Sequence, residues 1–236
     1  MTDTGQLPIR GKVTRMLAGH FFARCRRECL ASLDDRFSIG YGRITSDNNF
    51  SLHAIDAIIF AVTGLESFIN EIFADYILKN CPQGIEEYKE MINWSLYDKY
   101  YKGPQKVWGR TYDSGSRLFR DFRALVRTRN ALIHYQVDEE SSYVSGEGPS
   151  FIKTLKNQNL LLIPPDDQDR DYPWVHMLCT SKVAIWAFNL CCEITKKMST
   201  FEESVIPKGW VITSERLQVI SQDEYREYLQ GKSNSK

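Results

Sequence analysis

Apolar residues recur at helical spacing through most of the chain, in segments too long for strands. The longest segment runs from about Ser51 to Lys79, where Ile55, Ile59, Val62, Ile69, Phe73 and Tyr76 repeat along one side. Its end is set by Asn80-Cys81-Pro82-Gln83-Gly84, because Pro82 and Gly84 both resist continuation. The same reading predicts a shorter helix over 85–98, a strong one over 114–135 and a nearly all-apolar one over 181–198. The basic stretch 8–36 fits one more helix, its first residues reading as a loose arm.

The segments between these helices are polar or broken. Residues 40–49, GYGRITSDNN, read as a connection, and the acidic, Gly/Ser-rich stretch 137–150 reads as a loop. The middle of 151–174 is compatible with a short strand pair, stopped by Pro164 and Pro165. Residues 210–221 carry a possible strand, and Ser221 with Glu224 forms a capping signal for a last helix over 223–229. The expected architecture is all-α: a helical bundle with an irregular insertion and a short C-terminal appendage. It divides into a basic N-terminal helical extension (1–49), the bundle (50–205, with the insertion at 137–173) and the tail (206–236).

Composition narrows this picture. A chain of 236 residues can build one sizeable core, and an apolar fraction of 42% is ordinary for a folded protein. Its 30 basic and 30 acidic residues cancel, so the whole molecule is not steered towards nucleic acid, although a local basic cleft is compatible with that balance. The first residues lack the apolar core of a signal peptide, and the longest uniformly apolar run, AIIFAV, is too short to cross a bilayer. A cytoplasmic location away from membranes is the expectation. Six cysteines, none in a CxxC pair, read as buried free thiols rather than a zinc site.

The segment Arg127-Thr128-Arg129-Asn130-Ala131-Leu132-Ile133-His134 carries the candidate chemistry. Counted at about 100° per residue, Leu118, Phe122, Leu125, Val126, Leu132 and Ile133 share a broad apolar arc, and Arg129 falls near its middle. Arg117, Arg120, Arg123, Arg127, Asn130 and His134 fall on the other side. A guanidinium among apolar positions needs a partner or a route to solvent. The helix over 51–79 offers one: Glu66, four residues after Val62 and three before Ile69, also stands in an apolar row. Either the two misfit charges meet between the helices, or each reaches solvent at the edge of its stripe.

Histidine moves protons near neutral pH, and arginine presents a planar fork of donors that matches a phosphate. Together beside an RNA linkage they can promote attack of the ribose 2′-hydroxyl on the adjacent phosphorus, with no metal or other cofactor required. Arg129 and His134 are five residues apart, about 140° around a helix, so one helix does not aim both at the same atom. Convergence needs a bent, long arginine or a second copy of the helix, and a two-fold dimer would bring two such helices to one composite cleft. The stripe Arg117, Arg120, Arg123 and Arg127 is then either a track for the RNA backbone or a solvated face.

The string Arg129-Asn130-Ala131-Leu132-Ile133-His134, with its flanks in LVRTRNALIHY and the earlier GLESFINEIF, resembles the HEPN superfamily of prokaryotic ribonuclease toxins and defence proteins. The resemblance covers about residues 50–200. It implies an all-α bundle, commonly a homodimer, and metal-independent endoribonuclease activity. It assigns phosphate binding to Arg129, general acid–base chemistry to His134, orientation of the site or contact with RNA to Asn130 as the third catalytic residue, and the supporting role of holding Arg129 to Glu66. It also implies RNA as substrate and an antitoxin or defence complex as a possible partner. Other members of that superfamily are non-catalytic modules binding RNA or protein, the alternative for this chain. Outside the motif, His20, His53 and His176 read as structural or surface residues that make no metal set, and the string YDKYYKGPQKVWGR over 97–110 reads as rings packed on the bundle rather than a base-stacking surface.

Overall fold

The computed structural model describes residues 17–33, 51–80, 84–134, 150–162 and 174–201. The regular structure among them is entirely helical: α1 (Leu17–Ala31), α2 (His53–Asn80), α3 (Gly84–Ile92), α4 (Leu96–Tyr101), α5 (Gly103–Trp108), α6 (Arg117–Ile133), α7 (Ser150–Asn157), α8 (Trp174–Met177) and α9 (Ser181–Ser199). The protein is all-α. The strand over 210–221 and the helix over 223–229 lie outside the described residues.

Helix α2 is the hub, packed against α1, α3, α4, α6 and α9. One broad face of it is covered: Ala57, Ile58, Ala61, Val62, Leu65 and Ile69 are fully buried. His53–Ile77 is, by length and composition, apolar enough to cross a membrane, although no single run of apolar letters suggested it. Just over half of its most apolar window, 56%, is buried inside the molecule, as in a core helix.

Helix α1, expected as an extension, belongs to the same core. Ala18, Phe22, Cys25 and Cys29, at helical spacing, face α2 and α9 with no exposure. Their close approach needs Gly64, where an added Cβ would sit 2.7 Å from the Phe22 ring. The five cysteines among the described residues, Cys25, Cys29, Cys179, Cys191 and Cys192, are buried and free. Burial pushes the Cys179 and Cys192 thiols up to about 12, which leaves them chemically quiet at neutral pH.

Two local expectations are corrected. The helix expected over 85–98 breaks at residues 93–95, because the Ser95 hydroxyl accepts from the Asp98 backbone N–H at 3.1 Å and starts α4 afresh. The insertion begins with a helix, α7, over Ser150–Asn157, and the short strand pair expected in the middle of 151–174 is not formed among the described residues 158–162. Phe151 and Ile152, with Leu155 one turn further on, form a single buried face against α6. Asp121, buried on α6, accepts from Gln158 at 2.8 Å beyond the end of α7 and ties the two together. The rings of Tyr97, Tyr100, Tyr101 and Trp108 pack on the bundle, Trp108 against Phe73 and Tyr76.

Candidate functional site

Helix α6 starts at Ser116, whose hydroxyl caps the Phe119 N–H at 3.3 Å, and ends at His134. Its strong amphipathicity decides which side chains are available. Phe119, Phe122, Ala124, Leu125 and Thr128 are buried, whereas Arg117, Arg120, Arg123, Arg127, Asn130 and His134 are all exposed. Arg129, in the apolar arc, keeps only 19% of its side chain exposed.

The two misfit charges meet. Arg129 Nη2 lies 3.4 Å from Glu66 Oε2, joining α6 to α2. A third charge completes the cluster: Lys99 Nζ of α4 lies 3.6 Å from Glu66 Oε1, and Lys99 is only 2% exposed. One carboxylate therefore bridges two cations, and it is the most exposed of the three, at 40%. A lysine so buried needs a counter-charge. Glu66 supplies it while holding Arg129. Among the described residues Glu66 is the only partner Arg129 has, and its Nε is buried without one, so most of its fork of donors is not used by the fold.

Beside this cluster lies an open recess of about 520 Å³ between α6 and the turn joining α3 to α4. Arg123, Arg127, Arg129 and Asn130 line it from α6, Glu66 from α2, and Trp94 with Tyr97 from the turn and α4. Three guanidinium groups against one carboxylate make its charge positive. That suits an anion, and the volume falls within the range of small-molecule sites.

The structure divides the expected site residues. Arg129, Asn130 and Glu66 come together at the recess, with Arg123 and Arg127 of the basic stripe. Arg117 and Arg120 do not join them. Arg117 pairs with Asp121 at 3.5 Å, and Arg120 donates to the Gly115 carbonyl at 2.7 Å. His134 is not among the residues lining the recess. It sits at the C-terminal cap of α6, with its backbone N–H bonded to the Asn130 carbonyl at 3.0 Å and its side chain exposed. Five residues, about 140° around the helix, agree with this: Arg129 lines the recess and His134 does not.

Lys99 and Trp94 were not singled out from the sequence. Lys99 has a signal there: Leu96, Lys99 and Tyr100 follow the i, i+3, i+4 rule of a buried helical face. Trp94 has none, because its placement depends on the break before Ser95. A second cluster lies across the molecule, where His53 Nδ1 is 2.7 Å from Glu28 Oε2 and Asp56 stands close by. His53, expected as a capping or surface residue in no metal set, thus stands with two carboxylates, its ligand atom and theirs all within 4.8 Å of one another. Glu28 also meets Arg24 at 2.7 Å and Arg27 at 3.5 Å, so its charge is already balanced.

No family model matches the chain, and comparison with curated proteins and with solved structures likewise returns no match.

Proposed function

We propose that this protein is a HEPN-type metal-independent endoribonuclease, acting in the cytoplasm as a toxin or defence effector, with RNA as its substrate. The observation that carries the reading is the clamp of Glu66 on Arg129, which holds a guanidinium with free donors at an arginine-lined recess, one residue before Asn130. His134, exposed at the end of the same helix, is available to a substrate or to a second copy of the chain.

In the proposed reaction His134 takes the proton of the ribose 2′-hydroxyl as the 2′-oxygen attacks phosphorus. The bond from phosphorus to the 5′-oxygen breaks, and a proton returns to that oxygen. Products are a 2′,3′-cyclic phosphate and a 5′-hydroxyl. Arg129 stabilises the charge on the non-bridging oxygens, with Asn130 orienting the phosphate. Because Arg129 and His134 diverge on one helix, a homodimer would join Arg129 of one protomer to His134 of its partner, making two composite sites.

Single-stranded RNA incubated with the purified protein in excess EDTA is the basic test. Cleavage at an undiminished rate, leaving cyclic phosphate ends, is the expected result. Activity that vanishes with the chelator and returns with a divalent ion contradicts the mechanism. The second reading, a non-catalytic module binding RNA or a partner protein, draws on the absence of His134 from the lining of the recess. Specific RNA binding without any cleavage would favour it.

A further inference from the structure

We propose that Trp94 is the base-stacking element of an RNA subsite in the recess, with Arg123 and Arg127 holding the adjoining phosphate; this rests on the endoribonuclease reading above. The α3–α4 break delivers Trp94 to this position. Helix α3 stops at Ile92, Ser95 restarts the chain as α4, and Trp94, half-buried between them, lines the recess opposite α6. Lys106 Nζ lies over its ring at 5.4 Å and is itself ion-paired to Glu87 and Glu90, which steadies the indole. Among the described residues Trp94 makes no ring–ring contact.

Tyr97, the other aromatic residue at the recess, is differently placed. Its ring is already engaged by Tyr101 at 5.6 Å, by Phe119 at 5.3 Å and by the Arg123 guanidinium at 5.3 Å. It is a wall that positions Arg123. Trp94 has Lys106 over its ring and packs partly on the core, and the surface it turns to the recess is the one proposed to stack a base. A positive recess with one available indole suits a base and its phosphate better than a free inorganic anion, which has no use for the ring. Only a base that has left its stack can enter, so the subsite takes an unpaired nucleotide.

A short 2′-O-methyl oligonucleotide, which has no free 2′-hydroxyl and so cannot react, serves as the binding probe, compared with the same oligomer carrying abasic sugars. We expect Trp94→Ala to weaken binding of the base-containing probe about tenfold and Trp94→Phe to change it little. The abasic probe should bind wild type and Trp94→Ala alike, and thermal melting should confirm that both variants fold. Wild-type affinity in Trp94→Ala, or an equal loss for both probes, overturns the subsite. Cleavage of the matching RNA, run in parallel, separates the two proposals. Cutting by wild type with Trp94-independent binding sinks the subsite alone, and Trp94-dependent binding without cutting sinks the nuclease reading alone.

Discussion

Replacing His134 by alanine is expected to lower the rate of RNA cleavage at least a hundredfold, on the order of what a general acid–base group contributes, while leaving the melting temperature unchanged. The separation of the two effects follows from the position of the residue. Its imidazole is exposed, and the one hydrogen bond that closes the end of α6 uses its backbone N–H, which alanine retains. The variant should therefore be folded, still able to bind RNA, and inactive. Matching denaturation curves beside a collapsed cleavage rate would bear this out. Cleavage by His134→Ala at the wild-type rate would remove the proton-transfer role, and unfolding would make the residue structural.

Glu66→Ala is expected to cost about 3 kcal/mol of stability, the low end for breaking a buried ion pair. The loss strands two cations, and Lys99, at 2% exposure, has no easy route to water. The low end applies because Glu66 is 40% exposed and solvent screens part of the attraction. Lys99→Met in the same chain should restore much of that loss, since it removes the stranded charge and leaves an apolar side chain of similar length. Urea unfolding of wild type, the two single variants and the double variant measures the coupling directly. An additive cycle, or a loss for Glu66→Ala no larger than that of a surface pair, would show that the three charges do not act as a unit.

How much of this was legible beforehand differs from residue to residue, for physical reasons. Glu66 and Arg129 stood out because each breaks an otherwise apolar helical row, and opposite charges in such positions must be compensated; they do face one another. The exposed face of α6 was equally plain, since helical phase alone sorts arginines from phenylalanines over seventeen residues (α6 has 17). Lys99 was harder. It stands in a crowd of tyrosines and lysines where an aliphatic stem and a charged head fit both a surface and a core reading. Helix α7 went unread because a two-turn amphipathic helix has too few positions to set its period apart from that of a strand. His53 and Glu28 are too far apart along the chain for any local pattern to join them, and only the docking of α1 on α2 makes them neighbours. The route from Arg129 to His134 was limited in the same way: spacing predicts their divergence, but convergence is a property of an assembly.

That convergence is the central claim, and mixing two inactive variants tests it most directly. Arg129→Lys keeps a positive charge beside Glu66 while removing the planar fork, and His134→Ala removes the imidazole. Each alone should fail to cut RNA. Unfolded and refolded together they form mixed dimers, in which one of the two composite sites regains both an intact arginine and an intact histidine. The account predicts recovery of about a quarter of the wild-type rate, since about half of the dimers are mixed and each carries one working site. A mixture as inactive as its components, made from chains that demonstrably exchange, would contradict it.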